Sequence, residues 1–539
     1  SDFHGIGVTV SPGRLMEGTT AEGYTDADWA IDSARIAKLR PKVARIWFQT
    51  DWMEPSKGTY TFTSDRMLAF YRYLDAFQAA GTDVELNFGW KVGSSIQSWF
   101  SIPGVDPWTS APNDIPAFAD AASALLHELI IQRGYDNVKY LTYYNEPNGS
   151  WDFEAPGDQK AYYVAMAEAV SDQLETDGLR DDVEVWGPEE SGAPDWTSYM
   201  AANGGDAFDQ YSFHTYGDSY SSVAGSIAAR TSVAGGKPVN MSEFGWSSDT
   251  ASGWDSGYAN YVIAGANQGL HSMLVWQLNG VWTADPDGDT NGTYTMWDSV
   301  LLGLEPRNTF AAAGLLTRYV PAHSEVVQAS SSSGDVRVAA FRDADGEYTV
   351  LVESKAGTGR DLTVDFGSLD LGRAVHRVQY TPDLVPDENA LLPESSASIP
   401  ATTSFSDTLG GDYTVAVYTT ADPAVQVALD DVDPSVASGS TLQLGAAVVD
   451  GPAGVSWSVE GTGNGSVSAS GVYTPPAVTT ERKVAVVATS TADPSARAVA
   501  RVLVTPAPDP AVVSPPSFSL DSGVYEGARM LTLDSTTAG

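Results

Sequence analysis

The 539-residue sequence contains no cysteine. That excludes disulfides, thiol nucleophiles and zinc–thiolate sites. It does not exclude export, since large bacterial exoproteins often lack disulfides. Positive charge is scarce: 29 Lys and Arg stand against 69 Asp and Glu, a net charge of −40 and a pI near 4.2. Nucleic-acid phosphates and anionic membranes call for basic patches, so neither is an expected partner. A neutral or cationic partner is. The acidic residues are spread rather than blocked, as on a solvated surface. No apolar run approaches the ~20 residues of a membrane span, so membrane insertion is not expected. The opening "SDFHGIG" carries no signal-peptide pattern and reads as a processed or trimmed start. What is present is globular: 42% hydrophobic and 10% aromatic residues, enough for a large core. The length suits three or four units of roughly 100–200 residues each.

Up to residue 320, short apolar runs alternate with helix-period segments. The runs are "GIGVTVS" (5–11), "VARIWF" (43–48), "DVELNFGW" (83–90), "VKYLTYYNEP", "DVEVWGPEE" (182–190), "DQYSFHTYG" (209–217), "KPVNMSEFGW" (237–246) and "SMLVWQLNG" (272–280). Between them lie amphipathic segments such as 26–39, 64–81, 114–134 and 158–178, several opened by Ser or Asp and closed by Gly. Eight strands separated by helical or mixed segments predict an α/β fold, a (β/α)8 TIM barrel over 1–320.

After Pro321 the pattern turns all-β. "DVRVAAFRDADGEYTVLVES" is a hairpin around Asp-Gly. Residues 321–421 read as a β-sandwich accessory domain. Residues 424–506, with short strands, Gly-rich turns and a central Trp457, suit an immunoglobulin-like β domain. "TPAPDPAVVSPP" is a Pro-rich linker, and 507–539 reads as that linker plus the start of an incomplete β module.

In a βα barrel the catalytic groups come from the C-terminal ends of strands. Strand four ends in Asn145-Glu146 and strand seven in Glu243. Strand two carries Arg45, strand six His214 and Tyr216, and strand eight Trp276. Two carboxylates facing each other across the mouth can cleave a glycosidic bond, with retention at about 5–5.5 Å and inversion at about 6.5–9.5 Å. One must hold a proton and the other must be ionised. Arg45 could keep the nucleophile ionised, Tyr216 could donate to it, and Asn145 could bind a sugar 2-hydroxyl. Glu-Pro recurs at Glu54-Pro55 and Glu305-Pro306, but neither of those ends an apolar strand.

"YYNEPN", "NMSEFGW", "ARIWF" and "SFHTYG" together resemble clan A retaining glycoside hydrolases, family 39 most and families 5 and 30 next. The resemblance spans about residues 1–320. It implies Glu146 as acid/base and Glu243 as nucleophile, with Arg45, Asn145, His214, Tyr216 and Trp276 as site residues. A β unit directly after the barrel is similar to families 30 and 39. The 424–506 unit resembles bacterial immunoglobulin-like group 2 modules, and the last fragment a chitobiase C-terminal-type module. Both accompany secreted bacterial glycosidases and adhesins.

Further candidates to line sugar subsites are Trp90 and Glu189, which end strands three and five, Trp151, which follows the Glu146 loop, and Trp297, which follows strand eight; the competing reading is loop packing. In "DPDGDTNGTY", Asp285, Asp287, Asp289 and Asn291 alternate and could hold a structural calcium, the alternative being a solvated turn. The chemistry requires no cofactor. The sequence thus predicts a secreted or bacterial cell-surface retaining glycoside hydrolase acting on an oligo- or polysaccharide. Its C-terminal modules would attach it to cell wall or polysaccharide. A non-catalytic carbohydrate-binding or adhesin protein, or a transglycosylase using the same carboxylates, are the alternatives.

Overall fold

The computed structural model describes residues 2–10, 23–89, 97–217, 219–245, 253–254, 257–279, 294–355, 359–508, 517–520, 522–524 and 526–534. Eight parallel strands close into a barrel: β1 (Gly5–Val10), β2 (Val43–Phe48), β3 (Asp83–Phe88), β4 (Val138–Tyr143), β5 (Glu184–Ser191), β6 (Gln210–His214), β7 (Val239–Phe244) and β8 (Ser272–Val275). The ring shuts where β8 pairs with β1, from Gly5–Ser272 to Val8–Val275. Gly7 is required at the β1–β2 seam, because a Cβ there would sit 2.1 Å from the Val43 carbonyl oxygen.

Helices follow the strands, beginning with α1 (Asp26–Leu39), and their ends match the sequence signals. Ser64 Oγ accepts from the Met67 amide, and Asp158 Oδ1 accepts from the Lys160 and Ala161 amides. Gly81 and Gly178 close their helices in the left-handed region, at φ 69° and 72°.

Alternation along the strands sorts the barrel interior into levels. Val43, Tyr140, Trp186 and Leu274 form an apolar cluster of their own near the strands' N-terminal ends. Two residues further along β2 comes Arg45, register-paired with Glu85 of β3. The intervening Ala44, Ile46 and Phe48 join the large core shared with the helices. An apolar plug therefore underlies a charged upper level.

Beyond the barrel, a seven-stranded antiparallel sheet runs in the order Asp2–Phe3, Ser324–Val327, Val336–Arg342, Tyr348–Ser354, Thr414–Thr419, Arg373–Tyr380, Ser395–Ala401. Its edge is the chain's own start: Asp2 pairs with Glu325 and Phe3 with Ser324. A second ladder joins Arg360–Asp365 to Ser404–Leu409. Phe405, Tyr418 and Val352 pack in the core between them.

Further along, a four-stranded sheet (Ser435–Ala437, Arg497–Thr505, Arg482–Ser490, Val455–Val459) lies against α1. Ala27, Ala30 and Ala34 meet Ala485, Val487 and Val499 there. Small residues on α1 let the sheet approach closely. Beside this contact Asp28 is buried, with Arg501 Nη1 at 2.8 Å and Lys483 Nζ at 3.2 Å. Thr25, Arg501 and Lys483 outweigh the upward push of burial and hold the Asp28 carboxyl below its ordinary range. Arg501→Met leaves the Thr25–Asp28 cap and Lys483 in place but removes the nearer cation from a buried carboxylate. It should lower stability by about 2–3 kcal/mol. Calorimetry should show it as an earlier transition; a melt unchanged from the parent would mean the pair does not hold the module.

Candidate active site

The ends of β4 and β5 leave the extended region abruptly. Tyr144, Glu146 and Glu189 adopt left-handed backbone, with φ of 56°, 43° and 62°. Such residues cost energy and persist where the surroundings over-determine them. Here Asn87 Nδ2 donates to the Tyr144 carbonyl at 2.5 Å, and the Tyr144 hydroxyl donates to the Ser110 carbonyl. The turn brings Asn145 and Glu146 over the barrel axis. Asn145 donates from Nδ2 to Asp152 at 2.7 Å, which fixes its amide so that Oδ1 accepts from Arg45 Nη2 at 2.9 Å.

Arg45 is fully buried at the centre. Its Nη1 donates to Glu243 Oε1 at 2.5 Å, its Nε lies 2.9 Å from Glu189 Oε2, and Glu85 Oε1 is 3.7 Å away. Burial works against its charge, but Glu189, Glu243 and Glu85 reverse that and keep the guanidinium protonated. One guanidinium cannot neutralise three buried carboxylates. Glu189, nearer and also bonded to His214, is held down near 2 against burial. Glu85, whose oxygens find no hydrogen-bond donor, is pushed far up by burial and the neighbouring Glu189 charge, which favours its neutral form.

His214 links the lower and upper carboxylates. Nε2 lies 3.1 Å from Glu189 Oε2, and Nδ1 lies 2.9 Å from Glu146 Oε1 and 3.3 Å from Glu243 Oε2. Burial disfavours its cation, yet Glu243 and the bonds to Glu146 and Glu189 raise its pKa to about 10. Burial raises Glu146 too, but the His214 hydrogen bond and charge, with Trp151 Nε1 at 2.9 Å and Ser191, bring it below the ordinary range. Glu243 stays raised because burial exceeds what His214, Arg45 and the Tyr216 hydroxyl at 2.8 Å take away. These directions favour the proton on His214, one hydrogen bond from Glu146. One oxygen each of Glu146 and Glu243 and a His214 nitrogen lie within 4.8 Å of one another. These atom types can ligate a metal. Here the imidazole is protonated, both its nitrogens are engaged, and Arg45 is adjacent, so the trio does not suit a cation.

The structure thus brings together Glu146, Glu243, Arg45, Asn145, His214 and Tyr216. Trp151 is 55% exposed at the rim, and Trp276 is half-buried with its ring 4.9 Å from Trp47. Two expectations change. Trp297 lines no subsite: it is fully buried, its indole donates to Asp32 at 2.7 Å, and Phe310 packs on it. Glu189 is equally buried beneath the site, so it holds Arg45 and His214 and does not meet a sugar. Trp90 and the proposed calcium loop at Asp285, Asp287, Asp289 and Asn291 lie outside the described residues. Sequence reasoning missed Glu85, Trp47 and Asp152. Glu85 had a visible signal: "VARIWF" and "DVELNF" each place one charge at the same inward-facing register position.

Glu189→Gln removes one of the anions that stabilise the His214 cation, so the His214 pKa should fall from about 10. An NMR titration of the imidazole reads this directly; a value that stays put would mean Glu189 does not set the histidine's charge.

No protein-family model matches the chain. Its fold is that of solved glycoside hydrolases of families 30 and 39, both named by the sequence resemblance. The catalytic domain of GH30 xylanase C from Talaromyces cellulolyticus is 14% identical at a TM-score of 0.57, covering 78% of this chain and 98% of that one. A family 39 glycoside hydrolase from the gut symbiont Bacteroides cellulosilyticus WH2 is 15% identical at 0.54, covering 77% and 81%. A GH39 β-xylosidase from Caulobacter crescentus is 16% identical at 0.53, covering 77% and 95%. At these identities the likeness shows the fold: a closed (β/α)8 barrel followed by antiparallel sheets.

Proposed function

We propose that the chain is a retaining glycoside hydrolase, secreted or held at a bacterial cell surface, that cleaves O-glycosidic bonds of a plant or microbial polysaccharide. Glu146 is the acid/base and Glu243 the nucleophile. The observation that carries this reading is the pair itself: carboxylates from the ends of β4 and β7 with oxygens within 4.8 Å of each other. That spacing favours the retaining separation of about 5–5.5 Å over the wider gap that admits a water between substrate and base. The fold-sharing proteins are named as xylanases, a β-xylosidase and an endo-β1,6-glucanase, which supports a polysaccharide substrate.

In the first step a Glu243 oxygen attacks the anomeric carbon as the glycosidic C–O bond breaks, and the leaving oxygen takes a proton from Glu146. That proton has a source: His214 Nδ1–H, 2.9 Å from Glu146 Oε1, passes it across the hydrogen bond. Protonated His214 with ionised Glu146, and neutral His214 with protonated Glu146, differ only in where one proton sits. The titration therefore belongs to the pair. In the second step Glu146 takes a proton from water, the water oxygen attacks the anomeric carbon, and Glu243 departs. Arg45 and Tyr216 stabilise the Glu243 carboxylate that attacks and is released. Trp276 and Trp151 offer aromatic faces to the sugar's C–H surface. The β units at 321–421 and 424–506, with the 507–539 segment behind them, would keep the barrel near insoluble substrate or cell wall.

Glu243→Gln should abolish covalent labelling by a fluorinated-sugar inactivator, read by intact mass. Glu146→Ala should slow ordinary substrates by about 10²–10⁴-fold, spare activated aryl glycosides in the first step, and respond to azide. Ordinary turnover surviving in Glu146→Ala would sink the assignment. Tyr216→Phe removes a donor that favours ionised Glu243, so the Glu243 pKa should rise. The acid limb of kcat/KM should then move to higher pH; a shift to lower pH, or none, contradicts that role.

A further inference from the structure

Three of the protein's six histidines gather at the end of the barrel opposite the paired carboxylates. His4 directly precedes β1, His271 directly precedes β8, and His323 stands just before the strand Ser324–Val327. The His4 and His323 ring centroids are 4.3 Å apart at 75°, and those of His4 and His271 are 5.3 Å apart. Asp83, the first residue of β3, places Oδ2 3.2 Å from His4 Nε2. One ligand atom each from His4, Asp83 and His323 lie within 4.8 Å of one another.

We propose that His4, Asp83 and His323 form a binding site for a zinc-class divalent cation that ties the barrel to the first strands of the β-sandwich. Two imidazoles and a carboxylate are a zinc-type donor set, and such ions accept N and O ligands at about 2.0–2.2 Å. Tetrahedral ligation at that length separates ligand atoms by roughly 3.3–3.6 Å. His4 and Asp83 are already 3.2 Å apart, and exposed His323 closes the remaining distance by a side-chain adjustment. The fourth position opens to water. His271 commits Nδ1 to the Asp2 carbonyl at 3.2 Å and steadies the segment that carries His4.

The surroundings favour a cation. The site opens on a depression of about 540 Å³ where Asp2, Asp181, Asp182 and Glu184 outnumber Lys139, and also outnumber it together with Lys42, the lysine whose charge reaches His323. In contrast to the Glu146–His214–Glu243 trio, no arginine is bound into this cluster among the described residues. The backbone also converges here: the His323 amide donates to the His4 carbonyl at 3.3 Å, directly beside the Phe3–Ser324 pairing. A bound ion would fasten the start of β1, the start of β3 and the sandwich's entry segment to one point. Its binding energy would add to folding stability.

Calorimetric titration of the chelator-treated full chain with zinc chloride tests the site, alongside the visible spectrum of the cobalt(II) form and a thermal melt. The expected result is one ion per chain, tetrahedral cobalt absorption and a zinc-dependent rise in Tm. His323→Asn, a residue that tolerates the left-handed backbone at φ 48°, and Asp83→Asn should each weaken binding by at least about tenfold and remove the Tm rise. Glu243→Gln should bind zinc as the parent does. Unchanged affinity in both His323→Asn and Asp83→Asn overturns the site. So does binding that disappears in Glu243→Gln, or a parent chain with neither heat nor Tm shift at millimolar zinc.

Discussion

A guanidinium with no access to water organises the upper half of the barrel. Arg45 on β2 reaches Glu85 on β3, Asn145 after β4, Glu189 on β5 and Glu243 on β7, so one side chain couples five staves. Removing such a charge from water costs several kcal/mol, which only close and well-formed partners offset. The partners in turn depend on Arg45. Glu189 and Glu243 would be buried anions without it, and Asn145 would lose the donor that sets its angle. The site's geometry and its tolerance of charge are therefore one property. The apolar plug of Val43, Tyr140, Trp186 and Leu274 below keeps that charged level from extending downward.

The charge count explains why the lower members of the cluster exist. Burial and Glu189 favour the neutral form of Glu85, while Arg45 and His214 are the two cations that face Glu189, Glu243 and Glu146. A second cation allows two upper carboxylates to stand so close without both being driven neutral. Glu189 has no access to solvent, yet it fixes His214 through Nε2 and so aims Nδ1 between Glu146 and Glu243. Changes at Glu189, His214 and Arg45 should not add as independent effects, because each alters the proton affinity of the others.

The barrel was legible because its strands are fully buried and read as apolar, β-branched and aromatic runs, and because Ser64, Asp158, Gly81 and Gly178 mark helix ends. Glu146 and Glu243 were legible because each closes such a run. The strand-end rule failed where a side chain could fold inward. Trp297 found Asp32 and the helix-side core, and Glu189 turned under the mouth through a left-handed residue that no local pattern announces. Glu85 was passed over because a charge mid-strand suggests an exposed face until its register against Arg45 is known. The His4–His271–His323 gathering joins the chain's start to positions far along it, a relation that periodicity does not carry.

The two ends of the barrel meet different demands. At the C-terminal ends of the strands, Tyr144, Glu146 and Glu189 hold strained backbone, which the hydrogen bonds around Asn87, Asn145 and Arg45 must counter. Movement of β2 or β4 by even a fraction of an ångström would alter the Arg45–Asn145 contact and the placement of Glu146. The opposite end and one flank supply what resists that movement. Asp2–Phe3 is stitched into the sandwich sheet just before β1 begins, and α1, which follows β1, is pressed by the later β module through Asp28, Lys483 and Arg501. β1 therefore has its start and the helix after it both anchored to other units, and it neighbours both β2 and β8. On this view the accessory β units matter to the paired carboxylates even without touching a substrate, because they fix the stave against which Arg45 and Trp276 take their positions.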